Sequence, residues 1–157
     1  MNKFVIFAIG LVVGIVLTAF IIWNVMPGMM LDVHQSKFGF DVTVDAIEEK
    51  ATNSGWKIPK TYRIDKSLEK AGYNIKRIHV FSLCKPEHAY EVLRKDENKK
   101  VAAMMPCRIS VFETENGKVH ITGMNIGLMG SMFGGDVGKT MKKVSKEEEK
   151  ILNDVVE

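Results

Sequence analysis

The sequence predicts an α+β domain carried behind a single transmembrane helix. Three observations give that class. Phe4 to Met26 contains no charged residue. Two alternating segments, Cys107 to Thr114 and Lys118 to Met124, flank Asn116-Gly117, the strongest short-range hairpin signal. From Asp136 onward, Val137, Met141, Val144, Ile151 and Val155 recur at helical spacing. With 157 residues, this is one domain plus an N-terminal extension.

The elements follow in chain order. Residues 1–3 are a short tail and residues 4–26 the span. At helical rise the span covers about 34 Å, enough to cross a hydrocarbon core of roughly 30 Å with some tilt. Trp23 falls near its far end, where an indole favours the interface. The run is longer than the ~7–15 residue apolar region of a cleaved signal peptide. Val25-Met26-Pro27-Gly28-Met29 offers no small-residue cleavage site. The reading is therefore an uncleaved signal anchor in the cell membrane. Lys3 precedes the span and Asp32 is the first charge after it. The positive-inside rule then places the domain on the extracytoplasmic side. Pro27-Gly28-Met29-Met30 is read as the end of the helix. Residues 27–37 are a linker or first strand, with alternation from Leu31 to Ser36.

Residues 38–157 form the soluble domain. Thr43 is read as the N-cap of a helix from Val44 to Asn53, with Val44, Ile47 and Ala51 as its apolar stripe and Gly55 closing it. Trp56-Lys57-Ile58 begins an extended piece that Pro59 limits to a short or edge strand. Asp65 to Ala71 is a brief helix closed by Gly72. Ile75 to Leu83 has apolar residues on both faces and is read as a central strand. Lys85 is the expected N-cap, and Pro86 the first-turn residue, of a helix to about Arg94 that turns Ala89, Val92 and Leu93 inward. A two-residue hairpin loop would pair Glu115 with Lys118, setting Phe112 opposite Ile121, Val111 opposite Thr122 and Ile109 opposite Met124. Cys107 then shares the Ile109–Val111–Met124 face. Gly127 to Phe133 is a short helix ended by Gly134-Gly135. In the last helical region Ser145-Lys146-Glu147-Glu148 matches a capping box, which would split it. Lys142, Lys143, Lys146 and Glu147-Glu148-Glu149 read as a solvated face.

Composition and motifs remove several functions. Net charge is +3, from 22 basic and 19 acidic residues, with no basic stripe interleaved with aromatics, so nucleic acid is not an expected partner. The glycine-rich Gly127–Gly135 fails as a phosphate loop. Phe133 stands where the pattern ending in Gly138-Lys139-Thr140 needs glycine. Close helix packing is the better reason for these glycines. No Gly-x-Ser-x-Gly elbow and no Cys-x-x-Cys-His haem attachment motif is present. His34 and His120 read as ordinary surface or strand residues.

The two cysteines remain. Cys84 lies just before a helix start and beside Lys85, and Cys107 lies beside Arg108. Both settings favour thiolate. One cysteine ends a strand and the other begins one, which puts them at one end of adjacent strands. The candidate ligand or thiol site is Cys84, His88, Met105, Cys107 and Arg108, with Asn125 nearby on the paired strand. Three uses fit. The first is a binding or interaction module. The second is thiol redox or sulfur handling through Cys84 and Cys107, the one enzyme-like reading. The third is soft-metal (copper) or haem binding, with Cys84, His88, Cys107 and Met124 as candidate ligands and Met104, Met105, Met129 and Met132 as further thioethers. Against these stand a buried or bridged cysteine pair and methionines that only fill a core. A homodimer through an exposed sheet face is compatible with the same plan.

Between Phe81 and Gly135 the runs FSLCKPEHAYEVLR, AAMMPCRISVFE, GKVHITGMN and GLMGSMFGG resemble the bacterial and archaeal domain of unknown function family 302. The upstream FDVTVDAIEEKATNSGWKIP resembles that family's opening helix and strand. The likeness covers Phe38 to the C-terminus. It implies a TATA-binding-protein-like fold, a curved antiparallel sheet with helices on one face. It implies no activity, because the family is uncharacterised, and the fold likeness brings no DNA binding with it. The membrane anchor is an addition to the common form of the domain.

Overall fold

The computed structural model describes residues 2–157. It divides into two units, one ending at Leu31 and one running from Asp32 to Glu157. The first unit is a 27-residue helix, α1 (Lys3–Met29), with no buried residue. Among the described residues it is the one helix long and apolar enough to cross a membrane, a property shared by anchors and signal sequences. It does not stop before Pro27, as the sequence suggested. Pro27 sits in the last turn, where it removes only one intrahelical N–H bond, and the Met30 N–H still donates to its carbonyl at 3.4 Å.

The second unit is the α+β domain. Its strands are β1 (Leu31–Gln35), β2 (Lys57–Arg63), β3 (Ile78–Cys84), β4 (Cys107–Glu113) and β5 (Val119–Met124). They form one antiparallel sheet in the order β1-β5-β4-β3-β2. The helices are α2 (Phe40–Asn53), α3 (Ile64–Lys70), α4 (Pro86–Leu93), α5 (Ile126–Phe133) and α6 (Gly135–Leu152), with a 3-10 segment over Asp96–Met104. One sheet face meets the helices. Phe81 pairs across from Ile109, and Val111 from Ile121. All four are fully buried, together with Ile47 and Ala51 of α2 and Ile151 of α6. Each of the Phe, Ile and Val side chains contributes about 1.5–3 kcal/mol over its exposed state. The other face carries the alternate residues, among them Tyr62, Val80, Ser110, Phe112 and His120, with the Phe112 and His120 rings stacked at 5.4 Å.

β3 is interior and β2 is an edge strand, as expected. The β2–β3 register shifts between Lys57 and Lys60, around Pro59, which has no N–H to give the ladder. Gly55 takes φ +80 at the end of α2 and Gly72 φ +87 after α3. Helix α2, however, begins at Phe40, with Gly39 as N-cap. Thr43 lies one turn in and fully buried. Its hydroxyl donates back to the Gly39 carbonyl at 2.9 Å and lies 2.7 Å from Ser36 Oγ. That back-bonding, not a cap, is what its side chain does. Helix α6 runs unbroken through Ser145, because Val144 and Ile151 are both buried and keep one stripe continuous across the supposed break.

The hairpin differs from expectation by one residue. The Thr114 N–H donates to the Lys118 carbonyl at 2.9 Å, and the Gly117 N–H donates to the Thr114 carbonyl at 2.9 Å. The loop is therefore Glu115-Asn116-Gly117, with only Gly117 at positive φ (+79). A two-residue turn needs Asn116 in the left-handed region as well. Instead, Asn116 Oδ1 accepts from the Lys118 N–H at 3.3 Å. Phe112 consequently faces His120, Val111 faces Ile121, and Ile109 faces Gly123. A one-residue slip exchanges faces, so Met124 leaves the Ile109–Val111 face of β5.

The glycines of α5 and α6 serve close packing. A Cβ on Gly130 would sit 2.6 Å from Met141 Cβ, and one on Gly138 would sit 2.7 Å from the Gly130 carbonyl oxygen.

Candidate functional site

Strand β3 ends at Cys84 where β4 begins at Cys107, with Leu83 directly opposite Cys107. Helix α4 leaves this end of the sheet from Pro86, with Lys85 as N-cap, and the 3-10 segment returns the chain through a cis Met105–Pro106 bond. Between these pieces and α6 lies a cavity of about 60 Å³. That is room for roughly four water-sized centres. Seven sulfur-bearing residues are on its wall: Cys84, Cys107, Met104, Met105, Met124, Met129 and Met141. Leu83, Val92, Val101, Ile126 and Val144 add aliphatic surface.

The polar side chains on the wall are few, and nearly all are already engaged. Glu147 of α6 collects three of them. Its carboxylate accepts from Trp56 Nε1 at 3.0 Å, from Lys85 Nζ at 2.8 Å and from His88 Nε2 at 3.0 Å. Burial pushes the Glu147 carboxyl up, but the hydrogen bonds from Lys85 and His88 outweigh it and hold the group below the ordinary carboxylate range. Thr140 donates to Glu91 Oε2 at 3.1 Å. Because a carboxylate only accepts, His88 Nε2 carries the proton of that bond. The other ring nitrogen, Nδ1, is buried and has no partner.

Of the residues singled out from sequence, Cys84, His88, Met105, Cys107 and Met124 all line this cavity. Arg108 and Asn125 do not. Arg108 is the next residue along β4 from Cys107, so its side chain leaves by the opposite face. There it is exposed, opposite Ser82, with its guanidinium 5.8 Å from the Tyr62 ring. Asn125 is the N-cap of α5. Its Oδ1 accepts from the Leu128 N–H at 2.8 Å and its Nδ2 donates to Asp32 at 3.1 Å. Met132 is exposed on the surface.

The expectation of a thiolate fails at Cys107. Burial, then Glu148 and Cys84, push its thiol up to about 12. The cation expected to lower it, Arg108, is on the far side of the sheet. Lys85 likewise spends its ammonium on Glu147 and the Ser54 carbonyl. Both cysteines are free thiols. Among the described residues, no three His, Cys, Asp or Glu side chains are grouped as a metal ion requires. A haem also exceeds the cavity, since sites for ligands of drug size run to roughly 300–1,000 Å³.

Sequence reading missed Trp56, Lys85, Met141 and above all Glu147, which had been assigned to a solvated face. The signal was there. The α6 stripe runs from Val144 to Ile151, and steps of three and four from Val144 land on Glu147 and Glu148. Glu148 is the second consequence. Burial, then Asp32 and Glu149, raise its carboxyl to about 7. It lies so close to β5 that a Cβ on Gly123 would be 2.8 Å from its Oε1.

The family model described as domain of unknown function DUF302 matches residues 33–157. A crystal structure of an uncharacterized conserved protein DUF302 from Bacillus stearothermophilus has a similar fold. Its TM-score is 0.71 at 22% identity, over 80% of this chain and 98% of that one. No curated protein matches the sequence.

Proposed function

Because the chain belongs to the domain of unknown function family DUF302, which brings a fold and no activity, we propose a function from the site itself: a binding module that takes a small uncharged ligand into the sulfur-lined cavity. The observation that carries this reading is the wall. It is apolar and thioether-rich, and the polar side-chain groups on its residues are turned to Glu147 or Glu91. Methionine walls adapt to what they enclose. The test is xenon titration of the full chain in detergent, with methionine methyl groups labelled for NMR. The methyls of Met104, Met105, Met124, Met129 and Met141 shift, and that of exposed Met132 stays. If no cavity methyl moves, the module reading is rejected.

The remaining features fit around it. Helix α1 serves as an uncleaved anchor whose span is 4–26, with residues 38–157 on the extracytoplasmic side; its length and the position of Lys3 support this. Protease protection in sealed vesicles tests the side, and a mature chain starting after Met26 would overturn the anchor. Thiol redox through Cys84 and Cys107 is the weaker reading, because burial keeps Cys107 as the thiol. Copper(I) has four donors on one wall in its favour, Cys84, His88, Cys107 and Met124, without the grouping a bound ion needs.

A further inference from the structure

We infer that the face of the sheet turned away from the helices docks on the anionic headgroups of the membrane that α1 spans. The inference rests on α1 being an anchor and is independent of the cavity. It starts from where the strands put their charges. Asp32 of β1 is on the helix side, where it lines a hollow with Glu148 and Glu149 of α6. Glu113 of β4 shares the Ile109–Val111 face by alternation and accepts from Arg77 Nε at 3.1 Å. The five strands contain no other carboxylate, so their far face has none. Two cations stand there instead. Lys60 and Arg108 flank Ser82 across β2, β3 and β4, and they lie 4.9 and 5.8 Å from the Tyr62 ring. Both are exposed, and among the described residues neither has an ion-pair partner. Charge complementarity asks for an anion. A second copy laid face to face would set cation against cation with no carboxylate between them.

Connectivity decides which anion is at hand. The 27 residues of α1 cover about 40 Å at helical rise. A bilayer with its headgroup layers is about 40–45 Å thick, so the helix ends among headgroups. Only Met30 separates that end from Leu31, the start of β1, and one residue reaches at most about 3.6 Å. Leu31 and Val33 alternate with Asp32, so they belong to the far face, and both are exposed. The strand order β1-β5-β4-β3-β2 sets Arg108 roughly 10 Å and Lys60 roughly 19 Å from that apolar edge at sheet spacing. The face thus runs from an apolar edge at the bilayer to a cationic patch around a tyrosine, a composition suited to the interface. A tethered surface meets its lipid at high effective concentration, so a few charges are enough.

The test places the full chain in nanodiscs of phosphatidylcholine, alone or mixed with phosphatidylglycerol, doped with a lipid whose headgroup carries a nitroxide. Paramagnetic broadening of backbone amides reads which surface touches lipid. In the mixed discs the amides of Tyr62, Arg108 and Phe112 broaden, while those of Lys142 and Lys146 on α6 stay sharp. Lys60→Gln and Arg108→Gln each lower the docked-to-free ratio about fivefold, and together about 25-fold. Both side chains are exposed, and unchanged core amides verify that the variants keep the fold. Neutral discs or added salt lower the ratio in the same way. Broadening that is equal on α6, that persists in neutral discs, or that survives both substitutions overturns the docking while the anchor stands. A face protected only in discs holding two copies has a second copy as its occupant, and that result overturns the docking too. If the chain does not enter the discs, anchor and docking fall together.

Discussion

Strand β3 has a histidine near each end, and the two are used differently. His79, near the start, has both ring nitrogens buried without a partner. It is wedged between Phe40 at 5.3 Å and Phe81 at 6.4 Å, edge to face with both. His88, one helical turn beyond the end, lines the cavity and has one nitrogen on a carboxylate and the other buried without a partner. The first is packing: a flat ring filling a slot between two aromatics, with polar atoms tolerated because nothing there can be hydrated. The second has been oriented. What separates the two rings is therefore the carboxylate partner, not the unpaired nitrogen.

The contrast can be broken at four places. The largest effect is expected at the packed end. Phe81→Ala removes a wall of the His79 slot and a fully buried ring, and should cost about 3–5 kcal/mol in denaturant unfolding. The volume-conserving Met124→Leu at the cavity end should cost less than about 1.5 kcal/mol. Equal losses would erase the difference between a filled end and a hollow one.

The next effect is the pH profile. Burial and then Arg63 lower the His79 value below 6.5, so the unfolded chain binds more protons there. Stability from His79 is fully present above about 6.5 and is lost as pH falls through that range. Glu148 acts with the opposite sign. Its value rises from 4.5 to about 7, so its contribution is full below 4.5 and is lost as pH rises to 7. Its weight is on the order of 2 kcal/mol. Thermal melts should show His79→Phe flattening the acid limb and Glu148→Gln flattening the rise-to-neutral limb. A profile unchanged by either would mean that both groups are solvated.

Third, Glu147→Ala frees Trp56, Lys85 and His88 together. It should lower stability by about 1–2 kcal/mol and let the His88 15N pattern become a mixture of tautomers. A ring that keeps one tautomer without Glu147 would show that the carboxylate does not set it. Smallest is Arg108→Ala on the far face, expected within about 0.5 kcal/mol and without effect on xenon binding.

Much of the fold could be read from residue chemistry. Pro59 marked an edge strand, Gly55 and Gly72 marked helix ends, and Pro86 marked a helix start. The placement of Cys84 and Cys107 at one end of neighbouring strands followed from those punctuation marks. The failures share a cause: local patterns with two solutions. Asn116-Gly117 fits both a two-residue turn and a three-residue loop, and only the buried Val111 and Ile121 choose between them. Ser145 to Glu148 looks like a cap until burial of Ile151 carries the helix through. Glu147 was hidden because its partners come from α4 and from the start of β2, far away in sequence. A charge in a charged run shows nothing of whom it will meet.

Helices α5 and α6 touch through bare backbone at Gly130 and Gly138. In a machine this would be a datum surface, the face from which other dimensions are measured. With no side chain between them, α6 rests at one fixed depth, and that depth sets how far Glu147 reaches toward His88. A methyl group added at Gly130, which follows the wall residue Met129, would meet Met141 Cβ at 2.6 Å, lift α6 and lengthen the 3.0 Å contact that aligns the imidazole. The tolerance of the site is thus held by two residues that have no chemistry of their own.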